Sequence, residues 1–231
     1  MIELYSWGTP NGDKIAIALE ELQLTWTLKP VNIGRGEQFQ PEFLQLSPNN
    51  RIPAIVDTQG PDGKRISVFE SGAILQYLAR KTGKLCGRNE RERVEVEQWI
   101  MWQSSGLGPM SGQARHFLSY APSLLPAQDI PYAKDRYRKE VARLYSVLDK
   151  RLADRDFIAG DFLSIADIGI WPWISDWKIL EQALDDKPNL SRWLHTLSTR
   201  QSFITGKSVG KDLRTEAMKD KEAQRNLFGS H

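Results

Sequence analysis

The sequence predicts an α/β domain followed by an all-α domain. Strand-like alternation and helix-like periodicity trade places over the first 83 residues, and helical periodicity alone follows from about residue 90. With 231 residues, 40% of them hydrophobic, the chain is long enough to bury a core in each of two domains.

Ile2 and Leu4 alternate with Glu3 and Tyr5, as in a short strand. From Gly12 to Gln23 the apolar residues Ile15, Ala18, Leu19 and Leu22 recur at helical spacing, with Asn11 or Gly12 placed to cap and Asp13 in the first turn. "TWTLKPVNI" alternates again, and "PEFLQLSPNN" fits a short helix opened by Pro41 and closed before Pro48. "AIVD" and "ISVF" read as two strands joined by a hairpin with Pro61, Asp62 and Gly63 at its tip. "ESGAILQYLARKTG" follows as a helix that begins near Ser71 and stops at Gly83. This βαβαββα order, a parallel crossover first and an antiparallel pair last, is that of a thioredoxin-like domain, here residues 1–83.

"KLCGR" at 84–88 reads as a linker to an all-helical domain over 89–206. Helices are expected at about 90–104, 132–153, 164–181 and 189–199, broken by "GLGP" at 106–109 and by "APSLLPAQDIP" at 121–131. Residues 207–231 mix charges without apolar period and read as a tail, either a surface helix or loose.

With 31 basic against 29 acidic side chains and no long basic block, a nucleic-acid partner is not expected. Glu3 interrupts what would be a signal peptide's basic and apolar run, and there is no stretch of about 18 apolar residues, so neither export nor a membrane is expected. The single cysteine, Cys86, excludes an internal disulfide and suits a reducing cytoplasmic setting. A lone linker cysteine is more often a small buried hydrophobe than a redox centre. His116, His195 and His231 lack metal-ligand spacing, and no metal is expected.

Three short stretches carry chemistry. "GTPNG" at 8–12 joins a strand to a helix without a cysteine, histidine or acid. In "RIPAIVD", Pro53 removes a ladder donor at a strand start. A cis Ile52-Pro53 bond would turn the chain and offer the backbone N–H and C=O of Ile52 to a ligand; a trans proline merely opening a strand is the alternative. In "FESGAI", Ser71 and the free N–H groups of a helix start favour a carboxylate, and Glu70 suits an ammonium. Together they suit an α-amino acid end; an ordinary serine cap beside a solvated acid is the plainer reading.

In this order and spacing, these motifs resemble the glutathione transferases over the whole chain. "SIADI" at 164–168 is similar to that family's helix-start motif, which implies that Ser164 caps and Asp167 completes a capping box, a structural role. "TPNG", "GRGEQFQPEFLQLSPNNRIPAIVD", "FESGAILQYLARKTG", "GLGPM" and "IPYAKDRY" are similar to the bacterial nu-class, Ure2-like members. The resemblance implies the glutathione transferase fold, a homodimer, glutathione or its disulfide as co-substrate, and glutathione-dependent disulfide-bond reduction in preference to conjugation. Where a thioredoxin-like domain normally carries Cys-x-x-Cys, this chain has Thr9-Pro10-Asn11-Gly12, so the sulfur is the ligand's.

The resemblance places Thr9 and Asn11 beside the glutathione sulfur as catalytic donors. A thiol of pKa ~8.5 is about 3% thiolate at pH 7, and a drop of ~2 units is worth roughly 2.7 kcal/mol. A hydrogen bond to the charged sulfur supplies ~1.5–3 kcal/mol and a helix N-terminus ~0.3–1 more, so neutral donors suffice. Tyr5 and Ser6 are rivals, since other classes use a tyrosine or serine near this strand's end. The likeness further implies Glu70 and Ser71 for the γ-glutamyl end, Ile52 beside Pro53 for the cysteinyl amide, and Gln38, Asn50 and Arg51 around the glycyl end, with Arg51 replacing a lysine. Arg136 matches an arginine near bound glutathione, and Trp99, Trp102 and Gln103 sit where the family builds its cleft wall and dimer contact. The substrate would be a small-molecule disulfide or an electrophile. Conjugation or hydroperoxide reduction is the enzymatic alternative, and a non-catalytic binding module the alternative of another class.

Overall fold

A computed structural model describes residues 1–124, 126–214 and 221–229. Strand β1 (Ile2–Ser6) runs parallel to β2 (Trp26–Pro30) and antiparallel to β3 (Ala54–Asp57). β3 pairs antiparallel with β4 (Ile66–Phe69), which makes the sheet order β2-β1-β3-β4. Helices α1 (Pro10–Glu21), α2 (Pro41–Leu44) and α3 (Ser71–Thr82) complete the βαβαββα order read from the sequence.

Register decides what these strands deliver. Tyr5 stands opposite Ala54, Ala54 opposite Phe69, and Ser6 opposite Pro30. The turn after β1, the segment before β3, the turn after β4 and the loop after β2 therefore all leave from one end of the sheet. At the other end, Asp57 is buried and accepts from Lys81 Nζ at 2.8 Å, Tyr77 Oη at 2.6 Å and Gln59 N at 2.9 Å, which ties β3 to α3.

Every residue of α1 from Gly12 to Leu19 is buried. Such depth needs neighbours on several sides, and β1, α3 and α9 (Gln201–Ser208) all pack on it. A Cβ at Gly206 would lie 2.6 Å from the Ile17 amide nitrogen, so only glycine allows α9 this close to the α1 backbone. Ser202 Oγ donates to the Glu21 carboxylate at the end of this contact. On the opposite face of the sheet, Val31, Phe43 and Ala54 form a small core joined by Tyr5, Leu46 and Ile52.

The chain packs as two units, Met1–Thr82 with Gln201–His231, and Gly83–Arg200. The stretch read as a tail contains α10 (Lys221–Phe228), which lies against the 3₁₀ turn Ile33–Arg35 of the first unit and buries Ala223 and Gln224. Residues 215–220, 230 and His231 lie outside the described residues.

In the second unit, α4 (Glu90–Trp102) is capped by Asn89, whose side chain accepts from Glu92 N. The break expected at 106–109 is absent. Helical conformation continues through a π turn, Gln103–Leu107, into α5 (Gly108–Arg115) and a second π turn, His116–Tyr120. The wider turn accommodates Pro109, whose ring would meet the carbonyl four residues back in a regular helix. After α6 (Pro131–Arg151), the helix expected to reach residue 181 ends sooner, as α7 (Ile165–Ser175). Its hydrogen bonds tighten there to three-residue turns, Trp177 N to Ile174 O and Ile179 N to Asp176 O.

α7 is buried from Ile165 to Ile174 and packs with α4, α5 and α8 (Pro188–Ser198). Its capping box is complete. Asp167 accepts from Ser164 N and Oγ at 3.0 Å, and also from Ile158 N and Trp193 Nε1 at 2.9 Å. Burial pushes its carboxyl up against the pull of these four donors, a structural role in keeping with the sequence reading. Among the described residues, no helix is long and apolar enough to cross a membrane.

Burial alone would raise the Asp57 carboxyl, but hydrogen bonds from Lys81, Tyr77 and the Gln59 amide outweigh it and hold it below its usual range. Its contribution is therefore full above about pH 4 and is lost as pH falls through the depressed folded value. Asp57→Asn is expected to cost about 2–3 kcal/mol at pH 7, less than a fully buried pair because Lys81 is partly exposed. Urea unfolding at pH 7 and below pH 4 checks this: the gap to the wild type should narrow in acid.

Candidate functional site

The β1–α1 turn is built on Thr9, which holds the N-cap position of α1 in extended conformation. Its Oγ1 accepts from Gly12 N at 3.3 Å and its carbonyl from Asp13 N at 2.8 Å. The cap is thus not Asn11 or Gly12, as spacing suggested. Pro10 opens the helix two residues before the expected start at Gly12, at a position whose N–H would be unpaired in any case. A hydroxyl that caps through a lone pair keeps its proton to donate. Half-buried Asn11 adds a side-chain amide in the same first turn.

The two rivals are otherwise engaged. Tyr5 belongs to the small core with Val31 and Phe43, and its hydroxyl donates to Glu3 Oε2 at 3.4 Å. Burial first, and Glu3 second, raise its pKa. Ser6 is buried, and its Oγ donates to the Trp7 carbonyl at 3.2 Å and backs onto Gly12, where a Cβ would lie only 2.2 Å away.

The Ile52-Pro53 peptide is cis, which sets aside the trans alternative, and the β3 ladder begins only at Ala54. The loop before it is held by buried Ser47, whose Oγ donates to the Arg51 carbonyl at 2.7 Å while Asn50 N donates to the Ser47 carbonyl at 2.9 Å. Asn50, at φ 48°, takes a left-handed conformation that asparagine tolerates. The β4–α3 turn is more unusual, since exposed Glu70 is left-handed at φ 67° while its carbonyl accepts from Ile74 N at 2.9 Å. Outliers of this kind concentrate where a surrounding structure holds residues for function. Ser71 opens α3, and its Oγ accepts from Lys14 Nζ at 3.2 Å.

Gln38 is buried, with Nε2 donating to the Asn226 carbonyl at 3.4 Å and Oε1 without a partner among the described residues. Asn226, on α10, also donates to the Gly34 carbonyl at 2.9 Å. The shared strand end therefore gathers Thr9, Asn11, Ile52 with Pro53, Glu70 and Ser71, and the loops bearing Gln38, Asn50 and Arg51 lead into or out of it.

Arg136, Trp99 and Gln103 belong to the second unit. Arg136 is exposed and lines a cleft of about 600 Å³ with Met110, Tyr132, Tyr137 and Arg143. Trp99 meets Trp102 edge to face at 5.1 Å and lies beneath the Arg151 guanidinium at 5.2 Å. Gln103 is buried where the first π turn begins. Half-buried Cys86 and His116 join no metal-binding group; among the described residues none exists.

Residues 1–80 match the N-terminal domain of glutathione S-transferases, and residues 116–201 match their C-terminal domain. The disulfide-bond oxidoreductase YfcG of Escherichia coli (strain K12) is 48% identical over 210 residues, 90% of this chain and 94% of that protein. The chain belongs to the glutathione S-transferase family. Among solved members, a transferase of Burkholderia graminis holding two glutathione molecules per subunit has a TM-score of 0.83 at 41% identity, covering 91% of this chain and 88% of that one. A Pseudomonas putida transferase with one glutathione disulfide per subunit also has a TM-score of 0.83, at 37% identity, with coverages of 90% and 91%.

Two residues of this family member escaped the sequence reading. Lys14 is 1% exposed, and burial lowers its ammonium to about 7 while Glu70 pulls it back up. Its signal was its spacing, three residues after Asn11 and four before Ala18, on a helix whose length is buried all round. Asn226 had no local signal, because its partners lie almost two hundred residues away.

Gly12→Ala is expected to destabilise the protein by about 1–3 kcal/mol, since its Cβ meets Ser6 Oγ at 2.2 Å and the Trp7 carbonyl at 2.9 Å. Adding Ser6→Ala removes the nearer contact and should recover part of the loss in urea unfolding; no recovery would place the strain elsewhere.

Proposed function

We propose that this chain is a glutathione-dependent disulfide-bond oxidoreductase. The observation that carries the reading is the cysteine-free β1–α1 turn, with Thr9 and Asn11 at a helix start, standing next in the sheet to the cis-proline segment and the Glu70–Ser71 helix start. Similarity to a protein named for disulfide-bond oxidoreduction, and to a transferase crystallised with glutathione disulfide, supports it.

In this reading Ser71 and Glu70 hold the α-carboxylate and ammonium of the γ-glutamyl residue, and the Ile52 backbone pairs with the cysteinyl amide. Gln38, Asn50 and Arg51 serve the glycyl end, where the orphaned Gln38 Oε1 awaits a donor. Thr9 and Asn11 donate to the sulfur and favour its thiolate. That thiolate attacks one sulfur of a small disulfide, forming a mixed disulfide with glutathione and expelling the first thiolate, which takes up a proton. A second glutathione thiolate attacks the glutathione sulfur of the mixed disulfide, releasing the second thiol and leaving glutathione disulfide. Two glutathiones are oxidised and one disulfide is reduced. Arg136, in its cleft of α5 and α6, is proposed to bind a carboxylate of glutathione or its disulfide, and Trp99 and Gln103 to support a cleft wall or dimer contact. We also propose a homodimer working in the cytoplasm, with 1–83 as the glutathione-binding domain, 89–206 as the helical domain and 207–231 as the tail.

Initial rates with glutathione on 2-hydroxyethyl disulfide and on 1-chloro-2,4-dinitrobenzene test the reading. Disulfide reduction is expected to dominate and to fall about 10- to 100-fold in Thr9→Ala and in Asn11→Ala. Faster conjugation would make the chain a conventional transferase, and no glutathione binding in calorimetry would make it a non-catalytic module.

A further inference from the structure

Lys14 lies in the fully buried length of α1, one turn beyond Asn11. A buried ammonium is costly unless it is hydrogen-bonded and faces opposite charge, and methionine or leucine would fill the same space without that cost. One of the bonds this lysine makes there is to Ser71 Oγ, to which it donates at 3.2 Å. An ammonium has protons and no lone pair, so the serine oxygen must be the acceptor, and the hydroxyl's own proton is turned towards something else. The charge stands behind the first turn of α3, whose free backbone N–H groups and dipole also favour an anion.

We infer that Lys14 is a positioning residue for the γ-glutamyl carboxylate of glutathione, setting the Ser71 hydroxyl to donate to that carboxylate and supplying the positive charge behind it. The inference rests on the glutathione reading above. It makes α1 a link between the two ends of the ligand: Asn11 lies at the thiol-side turn and Lys14, three residues later, backs the γ-glutamyl site. Glu70, whose charge raises the pKa of this ammonium, is exposed at the same turn and remains available to the ligand's ammonium.

Calorimetric titration with glutathione and with its analogue lacking the γ-glutamyl α-carboxylate, 4-aminobutyryl-cysteinyl-glycine, tests this directly. The wild type is expected to prefer glutathione about 10- to 100-fold. Lys14→Met should lose most of that preference while binding the analogue within about twofold of the wild type, and should add little to Ser71→Ala. Equal weakening towards both ligands would make Lys14 a packing residue and overturn the inference while leaving glutathione binding in place. Should Lys14→Met not fold, Ser71→Ala decides: a preference that survives it overturns the inference. A wild type that binds neither peptide overturns the glutathione reading and this inference with it.

Discussion

Ala54 stands between Tyr5 and Phe69, and the site depends on that register. Because three strands end together, the β1–α1 turn, the cis-proline segment and the β4–α3 turn become neighbours although they are some twenty to forty residues apart in sequence. A slip of one residue would exchange the two faces of a strand and carry its turn away from the others. The interactions that prevent a slip are spread over the sheet: the small core around Tyr5 and Phe43 on one face, α1 and α3 on the other, and the bonds of Asp57 at the far end.

The same packing makes α1 an unusually firm support. Its first turn carries Thr9 and Asn11, and its length is enclosed by the sheet, α3 and α9, with Gly12 and Gly206 at the closest approaches. Donors on an enclosed helix are already oriented before a ligand arrives, so little of their interaction energy is spent on ordering them. That matters more here than in an enzyme with its own nucleophile, since the chain supplies only hydrogen bonds and a helix end, each worth a few kcal/mol at most.

Charge is distributed with the same economy. Lys14 is the buried cation of α1, reaching Ser71, and Glu70 is the exposed acid that follows β4. Burial lowers the pKa of the ammonium, and the charge of Glu70 raises it. In the proposed site, a zwitterionic ligand end would meet the Ser71 hydroxyl and helix amides on one side and the exposed Glu70 carboxylate on the other.

The local pattern of residues determined the βαβαββα order, the Ser164–Asp167 capping box, the helical second half and the motifs at positions 9–12, 52–53 and 70–71, because alternation, helical period and turn residues act over a few positions. Local pattern failed where the deciding partner was distant. Two misses were local instead: the cap fell to Thr9 because Pro10 opens the helix, and the helix ran past Gly106 because a π turn makes room for Pro109. Lys14 owes its burial to α3 and α9 closing around α1, and Gln38 gained its contact with Asn226 only once α10 lay beside the Ile33–Arg35 turn. Sequence names the groups that can donate, accept or carry charge; which of them lose their water, and what they then face, is decided by packing between segments far apart in the chain.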